Sequence, residues 1–148
     1  MTRTMDTLSP MERVLFLRDV PLFSELPPPD LMPIAAIAEE HAYADGDVIG
    51  VQGEPGESMH VIVSGDVAVV TRDPDAHDRE VAIRSRGEVV GEMAVITHEP
   101  RIASLVARGD VRVLTISRPQ FEAILRERPE TALGVIRVLS QRLAAATG

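Results

Sequence analysis

One short stretch of the chain concentrates groups able to hold a small anion: Gly91-Glu92-Met93-Ala94, then Pro100-Arg101-Ile102-Ala103. Glycine lets backbone approach a ligand closely. A short helix over 92–96 would point free N–H groups out of its first turn. Arg101 supplies a planar cation that grips a phosphate with two parallel hydrogen bonds. A carboxylate beside an anion site is repulsive unless it accepts a hydrogen bond from a ligand hydroxyl. A ribose phosphate carries both halves, the phosphate for Arg101 and the hydroxyl for Glu92. Taken out of context, Glu92 and Arg101 would be an ordinary ion pair at a turn, worth ~0–1 kcal/mol if exposed.

Composition removes competing chemistries. The chain of 148 residues has no cysteine, hence no disulfide, thiolate metal site or cysteine nucleophile. All 15 basic residues are arginine, and without lysine there is neither Schiff-base chemistry nor a P-loop phosphate contact. Against 23 acidic residues they leave a net charge of −8, so no nucleic-acid partner is expected. No apolar run approaches the ~20 residues of a membrane span. Met1–Asp6 leads into no signal-peptide core. The expectation is a cytoplasmic domain without membrane insertion. His41, His60, His77 and His98 show no His-x-His pair and no carboxylate set beside them, so no metal is expected.

The chain is long enough for one domain, since domains hold ~100–200 residues. Residues 1–8 read as a flexible tail and 9–148 as the domain. Ser9-Pro10-Met11-Glu12 is a capping box that opens a helix over 10–18. Pro27-Pro28-Pro29 reads as a break, with Asp30 capping a second helix that carries Ile34, Ile37 and His41 on one face. The N-terminal helices therefore fill 9–41. From 45 to 116 the pattern is β. The short β-branched runs are Val48-Ile49, His60–Val63, Asp66–Thr71, Glu80–Arg84, Ile102–Ala107 and Val111–Ile116. Glycine turns and a polar loop over 73–79 separate them. Ser117-Arg118-Pro119-Gln120 is a second capping box opening the C-terminal helices over 117–146, with Leu133, Ile136, Leu139 and Leu143 on one stripe of the last.

In that setting the Gly91–Ala94 and Pro100–Ala103 motifs, with Arg101 nine positions after Glu92, resemble the phosphate-binding cassette of the cyclic nucleotide-binding domain family. Its members include the bacterial catabolite activator protein and the regulatory subunits of protein kinase A. Gly46-Asp-Val-Ile49, Gln52-Gly53 with Gly56-Glu57, and Ile62-Val-Ser-Gly65-Asp-Val67 are similar to the family's glycine-marked strand turns. The resemblance covers about Leu22 to Leu143. It implies a mainly β fold with flanking helices: a small jelly roll (a double-stranded β-helix), N-terminal helices, a short cassette helix, and C-terminal lid helices.

The resemblance also implies roles. Arg101 would pair with a cyclic phosphate and Glu92 would accept the ribose 2′-hydroxyl. Gly91, Ala94 and Ala103 would offer backbone, with Met93, Ile102, Arg84 and Val81 completing the ligand-binding set. Ile102 stands where the family usually has alanine, serine or threonine, Val90 where it has an aromatic, and Arg84 where an aliphatic residue lies near the base. A threonine after the arginine tends to accompany cyclic GMP, so Ile102 favours cyclic AMP over cyclic GMP. The family performs no catalysis and needs no cofactor; ligand binding moves the C-terminal helices. The expected partner beyond the nucleotide is a homodimer mate or an output domain, fused or associated, since no helix-turn-helix segment follows the lid. The alternative reading keeps the fold as a structural or protein-interaction module without nucleotide binding. A cupin-type metal enzyme is third.

Overall fold

The computed structural model describes residues 7–75 and 77–147. Helix α1 (Pro10–Arg18) starts as its sequence dictates. Ser9 Oγ accepts from the Glu12 N–H at 3.1 Å, and the Glu12 carboxylate accepts from the Ser9 N–H at 2.9 Å. A single 3-10 turn (Pro21–Phe23) follows. Helix α2 (Pro28–Ile37) begins two residues before the expected Asp30 cap, with Pro27 at the cap position. First-turn N–H groups have no partner within a helix, so Pro28 and Pro29 there sacrifice nothing. It also ends sooner than expected. Glu39–Tyr43, including His41, is strand β1 rather than helix.

The other strands are β2 (Val48–Gly50), β3 (Ser58–Arg72), β4 (Asp78–Arg84), β5 (Val89–Val90) and β6 (Ser104–Ser117), with helix α3 (Glu92–Thr97) between the last two. Helices α4 (Arg118–Glu127) and α5 (Pro129–Thr147) close the described chain. Two pairs of expected short strands are fused into the long β3 and β6. Gly65 and Gly109 hold positive φ inside those strands, and the pairing shifts register around Ser64, so the glycines bend a strand rather than end it. The second capping box is replaced: Ser117 Oγ donates to Gln120 Oε1 instead of accepting a backbone N–H.

All pairings are antiparallel, in the order β1-β6-β3-β4, with β2 on β6 and β5 on β3. The strand pleat divides the core in two. Met59, Val61, Leu114 and Ile116 face outward under the helices, packed with Leu17, Leu22, Phe23, Leu31, Ile34 and Phe121. Ile62, Val67, Leu105, Ala107, Val111 and Val113 face inward and fill the roll. Each of these side chains larger than alanine contributes ~1.5–3 kcal/mol on burial. Polar ties fix the helices to the sheet. Glu40 of β1 accepts from Arg112 of β6 at 3.2 Å, lies 3.9 Å from Arg13 of α1, and takes the Leu8 N–H at 3.1 Å. Leu8 thus packs on the core, whereas residues 1–6 of the expected tail lie outside the described residues. The expected stripe on α5 splits. Val135, Val138 and Leu139 face the domain, while Leu133, Ile136 and Leu143 are exposed.

Candidate functional site

Arg101 is only 8% exposed, an uncommon position for an arginine. Its backbone is clamped to the turn after β2, donating to Glu54 O at 2.9 Å and accepting from the Gly53 N–H at 2.8 Å. The side chain runs past Gly50 and Gly91. A Cβ on Gly50 would lie 3.0 Å from Arg101 Nε, and one on Gly91 would lie 2.5 Å from Nη1. Gly91 also sits at φ +79°, so both its conformation and its space demand glycine. Nη2 donates to Ser58 O at 2.9 Å, but the buried Nη1 has no partner among the described residues. Burial lowers the guanidinium's pKa from its ordinary value, opposed by the charges of Glu54 and Glu57. A buried cation with an unmade hydrogen bond is costly, and an anion supplies both missing terms.

Glu92 opens α3 and is half-buried. Burial pushes its carboxyl above the usual range, while Arg142 of α5, its own backbone N–H and Arg84 of β4 pull it back. Because α3 has only six residues, its dipole is small, and the arginine carries most of the anion chemistry.

These groups share one cavity of about 160 Å³. Gly91, Glu92, Met93, Ala94, Arg101, Ile102, Ala103 and Arg84 line it, as expected from the sequence, together with Val69, Val89, Val90 and Leu105. Ala94 and Ala103 are buried, while Met93 and Ile102 are exposed at the rim. Val81 does not belong. It is exposed on β4 beside Ala82, which stands opposite Val69 of the cavity wall, so strand alternation turns it away from the roll. A second cavity of about 300 Å³ adjoins the first through Arg84, Val89 and Glu92, and adds Pro21, Glu88 and Arg142.

Several contributors escaped the sequence reading. Gly50 and the Ser58 carbonyl seat Arg101, yet neither carries a sequence signal. His60 lies on the inner face of β3 opposite Val90, 3% exposed. Its Nδ1 is 3.0 Å from Thr115 Oγ1, and Nε2 has no partner among the described residues. Burial, reinforced by Arg101 and His41, lowers its pKa to about 4. His98 ends α3 at φ +62° and pairs with Glu122 of α4, tying the cassette helix to the C-terminal helices. His77 does lie beside two carboxylates, Asp73 and Asp75, with ligand atoms within 4.8 Å, contrary to expectation. All three are exposed, and Asp73 Oδ1 already accepts the Asp75 and His77 N–H groups at 3.0 Å. That cluster forms the hairpin end between β3 and β4.

Residues 40–128, which run from within β1 through α4 and contain the whole cassette, match the family described as "Cyclic nucleotide-binding domain". The chain belongs to that family. This cyclic nucleotide-binding domain is 34% identical over 110 residues to a cAMP-dependent protein kinase regulatory subunit from Blastocladiella emersonii, covering 74% of this chain and 27% of the relative. It therefore spans about a quarter of that relative's length. Among solved structures it is similar to the Thermus thermophilus catabolite activator protein (29% identity, TM-score 0.74, 86% of this chain and 60% of that one). The regulatory subunit of a cAMP-independent protein kinase A from Trypanosoma brucei is also similar (28% identity, TM-score 0.78, 90% of this chain and 46% of that one). The fold is the β-roll with flanking helices shared by these proteins. No helix among the described residues is long and apolar enough to cross a membrane.

Proposed function

We propose that the domain is a sensor for a cyclic purine nucleotide, carrying no catalytic step. The observation that supports this most is the buried guanidinium of Arg101, with Nη1 unpartnered, in the same cavity as Glu92. The cyclic phosphate takes Arg101, the 2′-hydroxyl donates to Glu92, and backbone at Gly91, Ala94 and Ala103 completes the cradle. Output follows from the His98–Glu122 pair. Ligand that repositions α3 pulls on α4, and so on α5, whose Arg142 faces Glu92 across the second cavity. An output domain or partner downstream of α5 would read that movement.

A second reading, the fold without nucleotide function, has a specific support: the Trypanosoma brucei relative is described as cAMP-independent. Calorimetric titration of nucleotide-free protein with cyclic AMP and cyclic GMP separates the two readings. The sensor binds at least one of them in the micromolar range, and Arg101→Ala abolishes that binding. A 2′-deoxy ligand binds more weakly to the wild type. Absence of heat with both nucleotides at two temperatures would establish the second reading.

A further inference from the structure

The cavity lining contains three polar side chains, Arg84, Glu92 and Arg101. On the reading just given, Arg101 holds the phosphate and Glu92 the ribose. What remains for the base is an apolar wall of Val69, Val89, Val90 and Leu105 broken by one group, the Arg84 guanidinium. Arg84 stands on the inner face of β4, opposite Val67. Its ion-pair partner Glu88 places Oε2 3.8 Å from Nη1, beyond hydrogen-bond reach, while Oε1 accepts the Ser85 N–H at 3.0 Å. Among the described residues the Arg84 side chain makes no hydrogen bond. The adjoining cavity gives it room to swing.

A guanidinium only donates. A base facing it must therefore present acceptors. Guanine offers O6 and N7 side by side, the bidentate match for arginine, whereas adenine offers N7 beside an N6 amino group that also donates. We infer that Arg84 is the base-reading residue of this site and selects a 6-oxopurine, so that the domain prefers cyclic GMP to cyclic AMP. The hydroxyl missing at Ile102, the sequence argument for adenine, concerns the phosphate end of the ligand. Arg84 meets the base itself.

Cyclic IMP separates the causes, because it shares O6 and N7 with cyclic GMP but lacks the 2-amino group. Titration of the wild type is expected to show cyclic GMP and cyclic IMP binding roughly tenfold or more tighter than cyclic AMP. Arg84→Leu should collapse the spread, bringing cyclic GMP and cyclic IMP to within about twofold of cyclic AMP. Arg84 is half-exposed, so the variant folds. Equal or tighter binding of cyclic AMP by the wild type overturns the inference. So does a cyclic GMP preference that cyclic IMP lacks, or one that survives in Arg84→Leu. If none of the three nucleotides binds, the sensor reading itself fails, an outcome distinct from wrong selectivity.

Discussion

Arg101 gives up most of its water without acquiring a full set of partners among the described residues, and the surrounding fold holds it there. Ser58 O and the glycines at 50 and 91 keep the guanidinium in place, and no group among the described residues satisfies Nη1. His60 shows the same interior acting on a titratable group. Its pKa falls from 6.5 in the ordinary range to about 4, because burial disfavours the cation and the Arg101 charge adds to it. Between those values the unfolded chain binds a proton that the folded one refuses. The neutral histidine's contribution is thus fully present above pH 6.5 and is lost as pH falls toward 4. The difference is on the order of 3 kcal/mol. Urea unfolding at pH 7 and pH 4.5 should show His60→Gln losing markedly less stability than wild type on acidification. Equal losses would mean that His60 is not held neutral.

At the scale of elements, the cassette helix depends on a residue far from it in sequence. Gly56, just before β3, lies against α3 so closely that a Cβ there would sit 2.3 Å from Ala94 Cβ and 2.8 Å from the Ala94 carbonyl carbon. Backbone cannot yield as a flexible side chain can. Gly56→Ala should cost ~1–3 kcal/mol, the usual range for overpacking, and push α3 off its seat. Denaturant midpoint and nucleotide affinity should fall together; a drop in stability with unchanged affinity would show α3 undisturbed. Legibility in the sequence follows the same physics. The Ser9 box, the cassette helix and the polar hairpin end were readable because each is decided locally. Glu39–Tyr43 was not, since it holds no β-branched residue and becomes a strand only through pairing with β6. Gly65 and Gly109 looked like turns because glycine marks any positive φ, and only the β3–β6 partnership shows that the strands continue through them. Val81 was misplaced for a related reason: the face a strand residue takes is set by its cross-strand partner, and Ala82, not Val81, stands opposite Val69 of the cavity wall. The cassette residues were legible since their order and spacing carry the chemistry, whereas the seat of Arg101 is assembled from a glycine and a carbonyl in other strands.

For the molecule as a whole, a ligand that binds only the native state adds to its stability. Ligand at 100 times its dissociation constant stabilises the native state by ~2.7 kcal/mol. At ~2–4 °C per kcal/mol for a domain of this size, the melting temperature should rise by roughly 5–10 °C. Differential scanning calorimetry should find that rise in the wild type and none in Arg101→Ala; a rise in both would move the binding site elsewhere. The shared wall formed by β3 and β6 carries a further implication. Met59, Val61, Leu114 and Ile116 seat the helices on one side, while Ile62, Leu105 and Val113 shape the roll on the other. A pleated strand cannot shift one set without the other. Under the proposed sensor function, selection for sensitivity to the signal is therefore not confined to the pocket. Drift among residues that never see the ligand can retune its threshold, so two such proteins with identical pockets need not respond at the same concentration.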